Sequence, residues 1–253
     1  MSGTEARTRL PKKLGKQPLV EAIFEMRFES QFPVSTIWPG ILYSSLAGDK
    51  IMEQLPSLSI PKEIRDADPN FAYVPVCRIS WGNYWILIGD KVFAVATKIP
   101  YNGWDEFKAH ILGAYTTILQ TGMIKSISRC SMKCIDILDS VPFEASECFR
   151  LQCSIGERDA AGSTFHVNIG FRDQDILHTL QVISLMTMNI VTGGQLVGPL
   201  LDVDSVMELG GESSDSFLSK LSERADKLHD ANKRIVFDSL SEKALEYLEP
   251  VYE

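Results

Sequence analysis

Apolar and mostly charged residues alternate without a break in the sequence VEAIFEMRFES, residues 20–30. Successive side chains of a β-strand point to opposite faces, so this pattern predicts one half-buried strand over about residues 19–29. We expect the face toward the core to carry the apolar residues Ala22, Phe24, Met26 and Phe28. We expect the opposite face to carry the charged residues Glu21, Glu25, Arg27 and Glu29.

The remainder of the N-terminal half predicts two helices and four further strands. Apolar residues recur at helical spacing at about 35–48 and within 101–122. Residues 49–70 contain Pro56, Pro61 and Pro69 and are interpreted as an irregular excursion. In the last strand the apolar positions shift by one residue, which predicts a β-bulge near Cys134. Strands are expected at 71–81, 84–89, 91–97 and 123–138. The first three are expected to form an antiparallel meander.

The C-terminal half predicts strands followed by helices. Residues 214–248 carry a helical apolar stripe, and a serine cap near Ser239 or Ser241 indicates that a second helix begins there. The expected strands lie at 148–156, 163–171, 177–191 and 195–206.

Together these elements predict an α+β protein in which helices cover one side of a large, curved antiparallel sheet. Both halves place antiparallel strands before a covering helix, and a long helix lies near the C-terminus. We expect the two halves to pack as one unit. The predicted divisions are a flexible basic arm at 1–18, an N-terminal α+β half at 19–140 and a C-terminal α+β half at 141–253.

Composition and charge limit the cellular locations and the classes of partner that we expect for this protein. The 253 residues carry a net charge of −8, with a pI of about 5.1. Phosphate binding needs a concentrated basic surface, so this charge argues against general nucleic-acid binding. Neither a long apolar run nor a secretory signal is evident, so we expect a cytoplasmic protein without membrane association. The five cysteines are expected to be free thiols in a reducing compartment.

Several stretches together resemble one protein family. They are PLVEAIFEMRF after the basic arm, YNGWDEF at 101–107, LLDVDSV at 200–206, and the closing pattern of Leu228, His229, Lys233 and Phe237. The family consists of uncharacterised, sporadically distributed prokaryotic proteins of about this length, and the resemblance covers most of the chain.

This resemblance implies a bacterial or archaeal cytosolic protein with a patchy distribution, as is typical of mobile defence or toxin–antitoxin loci. It brings no assigned reaction, cofactor or catalytic residue. One run departs from the family pattern, so no role is carried over to it. Where similar proteins tend to show Arg-Tyr-x-Asn, this chain has Lys133, Cys134, Ile135 and Asp136.

Sequence motifs for common chemistries are missing. The four histidines form no H-x-x-x-H or H-x-H pair, and Cys130 and Cys134 lack a second pair at zinc-ribbon spacing. Asp202 and Asp204 share a strand face, but two carboxylates do not enclose a cation. Nucleophile elbows and phosphate-binding glycine loops are also missing. We therefore expect no metal, no cofactor and no catalytic residue, which favours a non-enzymatic protein.

Charged residues on the predicted strands form one candidate site. If the sheet curves, rows on neighbouring strands would face each other and could hold a polar or phosphate-like ligand. The alternative interpretation is a solvated outer surface held by salt bridges, as most charged rows are. The candidate residues are Glu25, Arg27, Glu29, Arg78, Arg129 and Lys133.

The C-terminal helix supplies a candidate interaction surface. Its alternating three- and four-residue spacing, with an asparagine at a core position, is typical of a short coiled coil between two subunits. We prefer the alternative that the stripe packs on its own sheet, because it spans fewer heptads than a coiled-coil assignment needs. The candidate interaction residues are Leu218, Leu221, Leu228 and Asn232.

Two functional hypotheses follow. The first is a binding or interaction protein that regulates or neutralises a protein partner within a mobile prokaryotic module, where complementary charge would favour a basic partner. The second is an enzyme or small-ligand binder that uses a charged cavity on the curved sheet. A homodimer through the C-terminal helix is compatible with either.

Overall fold

A computed structural model describes residues 10–159, 162–190 and 193–252. The strands are β1 (Lys13–Leu14), β2 (Leu19–Ser30), β3 (Lys50–Gln54), β4 (Cys77–Trp81), β5 (Tyr84–Ile88), β6 (Val92–Thr97), β7 (Ile124–Ile137), β8 (Ser154–Ile155), β9 (Arg158–Asp159), β10 (His166–Asp173), β11 (Ile176–Asn189), β12 (Gln195–Glu212) and β13 (Pro250–Val251). The helices are α1 (Trp38–Ser45), α2 (Lys62–Ala67), α3 (Trp104–Leu119), α4 (Ala145–Cys148), α5 (Ser214–Ser239) and α6 (Glu242–Tyr247). Short 3₁₀ turns lie at Val34–Thr36 and Pro56–Ser59.

Nine strands form one antiparallel sheet in the order β10-β11-β12-β7-β2-β6-β5-β4-β3. The predicted halves meet where β7 pairs with β12, from Leu200 opposite Ile137 to Glu208 opposite Arg129. The α+β class, the large antiparallel sheet and the long C-terminal helix are therefore confirmed. Among the described helices, none is long and apolar enough to cross a membrane.

The alternation in β2 separates the two faces of this sheet as expected. Phe24, Met26 and Phe28 are at most 1% exposed and belong to the main hydrophobic cluster, which α3 and α5 cover. The hydroxyl of Tyr115 on α3 donates to the backbone oxygens of Phe24 and Phe93, at 3.0 Å each. These two buried contacts tie the helix to two neighbouring strands. They also satisfy the hydroxyl group inside the core.

Helix α5 lies along β7 and β12. Its N-cap is Ser213, whose side chain accepts from the backbone N–H of Ser216. The amide of Asn232 donates to the backbone oxygens of Met132 and Val203, at 2.9 and 2.8 Å. The interpretation that the apolar stripe packs on its own sheet is therefore correct.

Two predictions about irregular regions need correction. Residues 49–70 contain β3, a 3₁₀ turn and α2, because Pro56 fits the first turn of a helix and Pro61 precedes one. The predicted strand at 148–156 is instead the end of α4 and a short β8–β9 hairpin. Glu144 and Glu147 form a capping box that starts α4, and this is the signal that the strand prediction overlooked.

The extents of other elements also differ from expectation. Strand β4 begins only at Cys77, and β12 continues beyond residue 206 to Glu212. The register of β7 with β12 is unbroken through Cys134. The register of β7 with β2 shifts between Leu19 and Glu21, opposite Asp136 and Ile135, so the irregularity expected near Cys134 lies on the β2 side. In the expected flexible arm, β1 pairs with β13. The arm's residues 1–9 lie outside the described residues.

Replacing Phe24 with Ala should destabilise the protein strongly, because it opens a cavity at a fully buried position. We expect a loss of about 3–5 kcal/mol in the free energy of unfolding, measured by urea denaturation. The matched control is Phe32→Ala, where the ring is 53% exposed and the loss should stay within about 0.5 kcal/mol. Equal losses in the two variants would contradict the assignment of faces.

Candidate ligand-binding site

The predicted charged residues of β2 and β7 lie on the face of the sheet opposite α3 and α5. Oε1 of Glu25 accepts from Arg27, at 2.8 Å, and from Arg129 on the neighbouring strand, at 2.9 Å. Lys133 pairs with Asp202 on β12, at 2.9 Å. Most of these charged side chains therefore form ion pairs within and between β2, β7 and β12.

Two of the predicted residues lie apart from this network. Glu29 is exposed near the end of β2. Arg78 pairs with Glu53 on the edge strand β3, and its guanidinium lies 4.2 Å from the ring centre of Trp85. The structure thus brings Glu25, Arg27 and Arg129 together but not all six candidates.

A cavity of about 400 Å³ lies on the opposite, helix-covered face. Its walls come from the segment of residues 12–19, β2, the turn before α3, β7, β12 and α5. The lining is mostly apolar, with Met132 and Leu201 on its sheet side and Val236 on its helix side. Its volume is in the range of small-molecule sites.

Asp136 is one of the residues that line this cavity. Asp136 continues the inward row of Cys130, Met132 and Cys134 along β7, and it is 4% exposed. Burial raises the pKa of Asp136 to about 7, and the charge of Asp202 adds to the effect. Its Oδ2 is shielded from solvent and has no hydrogen-bond partner among the described residues.

Asn232 is the second buried polar group in the lining, and it is 0% exposed. Its amide nitrogen is held by β7 and β12, which fixes the side chain. Within the described part of the chain, its Oδ1 accepts no hydrogen bond. Two buried residues of the cavity wall therefore each have an oxygen without a partner among the described residues.

Aromatic rings form another part of the wall. The rings of Trp104 and His229 stack with 4.0 Å between centres and 12° between planes. The indole N–H of Trp104 donates to Asp226 at 3.0 Å, which fixes the stack between α3 and α5. Burial lowers the pKa of His229, so the imidazole is mostly neutral near pH 7. Burial also raises the pKa of Tyr101, which lies close by in the lining.

The segment before β2 contributes the outer part of the wall. The exposed residues Lys12 and Lys13 lie there, and Lys233 comes from α5. Backbone bonds from Gly15 to Glu249, at 2.9 Å, and from Lys12 to Val251, at 2.7 Å, hold the segment against the C-terminus. The cavity therefore has acceptors in its buried part and ammonium groups at its exposed part.

Sequence patterns did not identify this cavity as a site. Asp136 interrupts an apolar row, and that interruption was interpreted as a bulge rather than as a buried acid. All five cysteines are free thiols, as expected, and three of them are buried. The described residues contain no group of three or more potential ligands that could hold a metal.

Comparison of the sequence with protein-family models and with curated proteins found no match. The family resemblance inferred from sequence stretches therefore stays a prediction.

The raised pKa of Asp136 predicts a pH dependence of stability. Between about pH 4 and pH 7 the unfolded carboxyl is ionised while the native one keeps its proton, so stability falls as the pH rises. Relative to Asp136→Asn, the wild type should lose up to about 1.4 kcal/mol per pH unit in this interval. Urea denaturation at a series of pH values measures the difference. A difference that does not change with pH would show that Asp136 has an ordinary pKa.

Proposed function

We propose that this protein binds a small organic molecule in the cavity between the sheet and helices α3 and α5. The observation that carries the proposal is an apolar cavity whose buried acceptors, Asp136 and Asn232, each retain an oxygen without a described partner. A buried polar atom without a partner costs about 1–3 kcal/mol. Both oxygens have less than 1 Å² of accessible surface, so a ligand in the cavity would reach them after a local movement of the wall and would then recover that free energy.

The chemistry of the lining supports binding rather than nucleophilic catalysis. Cys134 is the thiol in the wall, and burial raises its pKa well above the ordinary value. It is therefore a protonated thiol near pH 7, which is a poor nucleophile. Of the two sequence hypotheses, ligand binding is favoured, but its site lies on the helix-covered face and not among the charged rows.

Filling the cavity should abolish binding of small apolar probes. We expect indole, with nine non-hydrogen atoms, to bind with a Kd of about 1 mM or tighter, equivalent to about 4 kcal/mol. Ala22 lies in the wall, so Ala22→Leu should remove this binding in isothermal titration calorimetry. Val236→Phe, which fills the cavity from α5, is the second variant if the first does not fold.

The control for this experiment is Thr179→Leu, which adds a similar side chain to an exposed position on the opposite face. It should leave indole binding unchanged. Binding that survives both filling variants would contradict the proposed site, as would the failure of any small organic probe to bind.

The expected protein partner stays a second proposal. On the edge strand β3, Ile51 is 71% exposed and Met52 is 51% exposed. An exposed apolar edge strand is suited to pairing with a strand of another chain. A partner that binds there would be lost from the Met52→Lys variant in a co-purification experiment, and its equal retention would exclude this edge.

A further inference from the structure

We infer that the ligand of the cavity is an organic amine, bound with its protonated nitrogen on the carboxylate of Asp136 and its apolar body against the surrounding side chains. This inference rests on the proposed function and specifies the class of ligand. It follows from the carboxyl group of Asp136, whose Oδ2 lacks a described partner, from the positions of the lysines in the cavity wall and from the aromatic rings of that wall.

The first argument is the missing countercharge of Asp136. Neither an ion pair nor a hydrogen bond to its Oδ2 is present among the residues that the structure describes. Burial and the charge of Asp202 both act against ionisation of this carboxyl group. A buried carboxylate is stable only with a paired cation or with several hydrogen-bond donors. An ammonium group supplies both a positive charge and three donors.

The second argument concerns the lysines of the wall. Lys12 and Lys13 are exposed, so their ammonium groups remain hydrated and do not neutralise a carboxyl that is 4% exposed. Lys233 is half-buried and lies 6.0 Å from the ring centre of Phe237. Among the described residues, these lysines therefore do not supply a positive charge to Asp136, and a cationic ligand would supply it.

The third argument is the aromatic part of the wall. The aromatic residues Tyr101, Trp104 and Phe237 line the same cavity as Asp136. Ring faces attract cations, and a carboxylate combined with aromatic rings is a suitable environment for a protonated amine. Leu201 and Met132 provide apolar surface for the hydrocarbon part of the ligand.

Isothermal titration calorimetry with three matched probes tests this inference. The probes are 2-phenylethylamine, 2-phenylethanol and 3-phenylpropanoate, which share a ring and differ mainly in the charge of the end group. At about pH 8 the amine is protonated and Asp136 is mostly ionised. We expect the amine to bind about tenfold to a hundredfold more tightly than the alcohol, as for a hydrogen bond between charged groups.

Asp136→Asn preserves the shape of the side chain and should reduce this preference to less than about threefold, with alcohol binding retained. The matched control is Asp204→Asn, because Asp204 is also a largely buried acid with an oxygen that lacks a described partner, but it faces the other side of the sheet. This control should keep the full preference for the amine.

The outcomes separate the two proposals. If the alcohol binds the wild type as tightly as the amine, the cavity is a ligand site but the amine class is wrong. Tighter binding of the carboxylate would mean that the lysines determine specificity, which also overturns the amine class. If none of the three probes binds, the proposed function fails together with the inference.

Discussion

The burial of one face of the nine-stranded sheet beneath α3 and α5 is the constraint on which the rest of the structure depends. Each fully buried side chain such as Phe24 or Met26 contributes about 1.5–3 kcal/mol. The ion pairs of Glu25 on the other face are partly exposed, and such pairs are worth about 0–1 kcal/mol each. Burial of the apolar row therefore determines which face of the strands packs against the helices. The charged row consequently lies on the opposite face.

This orientation also explains why an acid lies inside the protein. Because side chains alternate along β7, the position of Asp136 is fixed by its neighbours Met132 and Cys134, which belong on the covered face. The carboxyl group therefore reaches the space between the sheet and α5, where nothing among the described residues pairs with its Oδ2. The proposed ligand site rests on this group, because a buried acid with a raised pKa in an apolar cavity is a candidate for a functional site.

Local patterns were sufficient for much of the fold and insufficient for the site. The alternation around Phe24 and the helical stripe around Leu228 identified the elements and their buried faces, since both signals are periodic within one segment. Asp136 shows the limit of such patterns. One polar residue in an apolar row is compatible with either a bulge in its own strand or a buried acid. The register of β7 with β12 is unbroken and the shift opposite Asp136 lies in β2, and together these distinguish the two.

The cavity itself could not have been predicted, because its wall combines six segments that are distant in sequence. Asn232 illustrates this point. Its place in the stripe suggested a polar position within a coiled coil, whereas its partners are the backbone oxygens of Met132 and Val203. Those contacts depend on where α5 crosses the sheet, which no local pattern encodes.

The most direct test of the account maps a bound probe onto the two faces of β7. Methyl NMR spectra of protein labelled at methionine and isoleucine would be recorded during titration with 2-phenylethylamine. The account predicts the largest shift changes at Met132, which lines the cavity, and little change at Ile135 and Ile23 on the opposite face of the sheet. Large changes at Ile135 and Ile23, with Met132 unaffected, would contradict it.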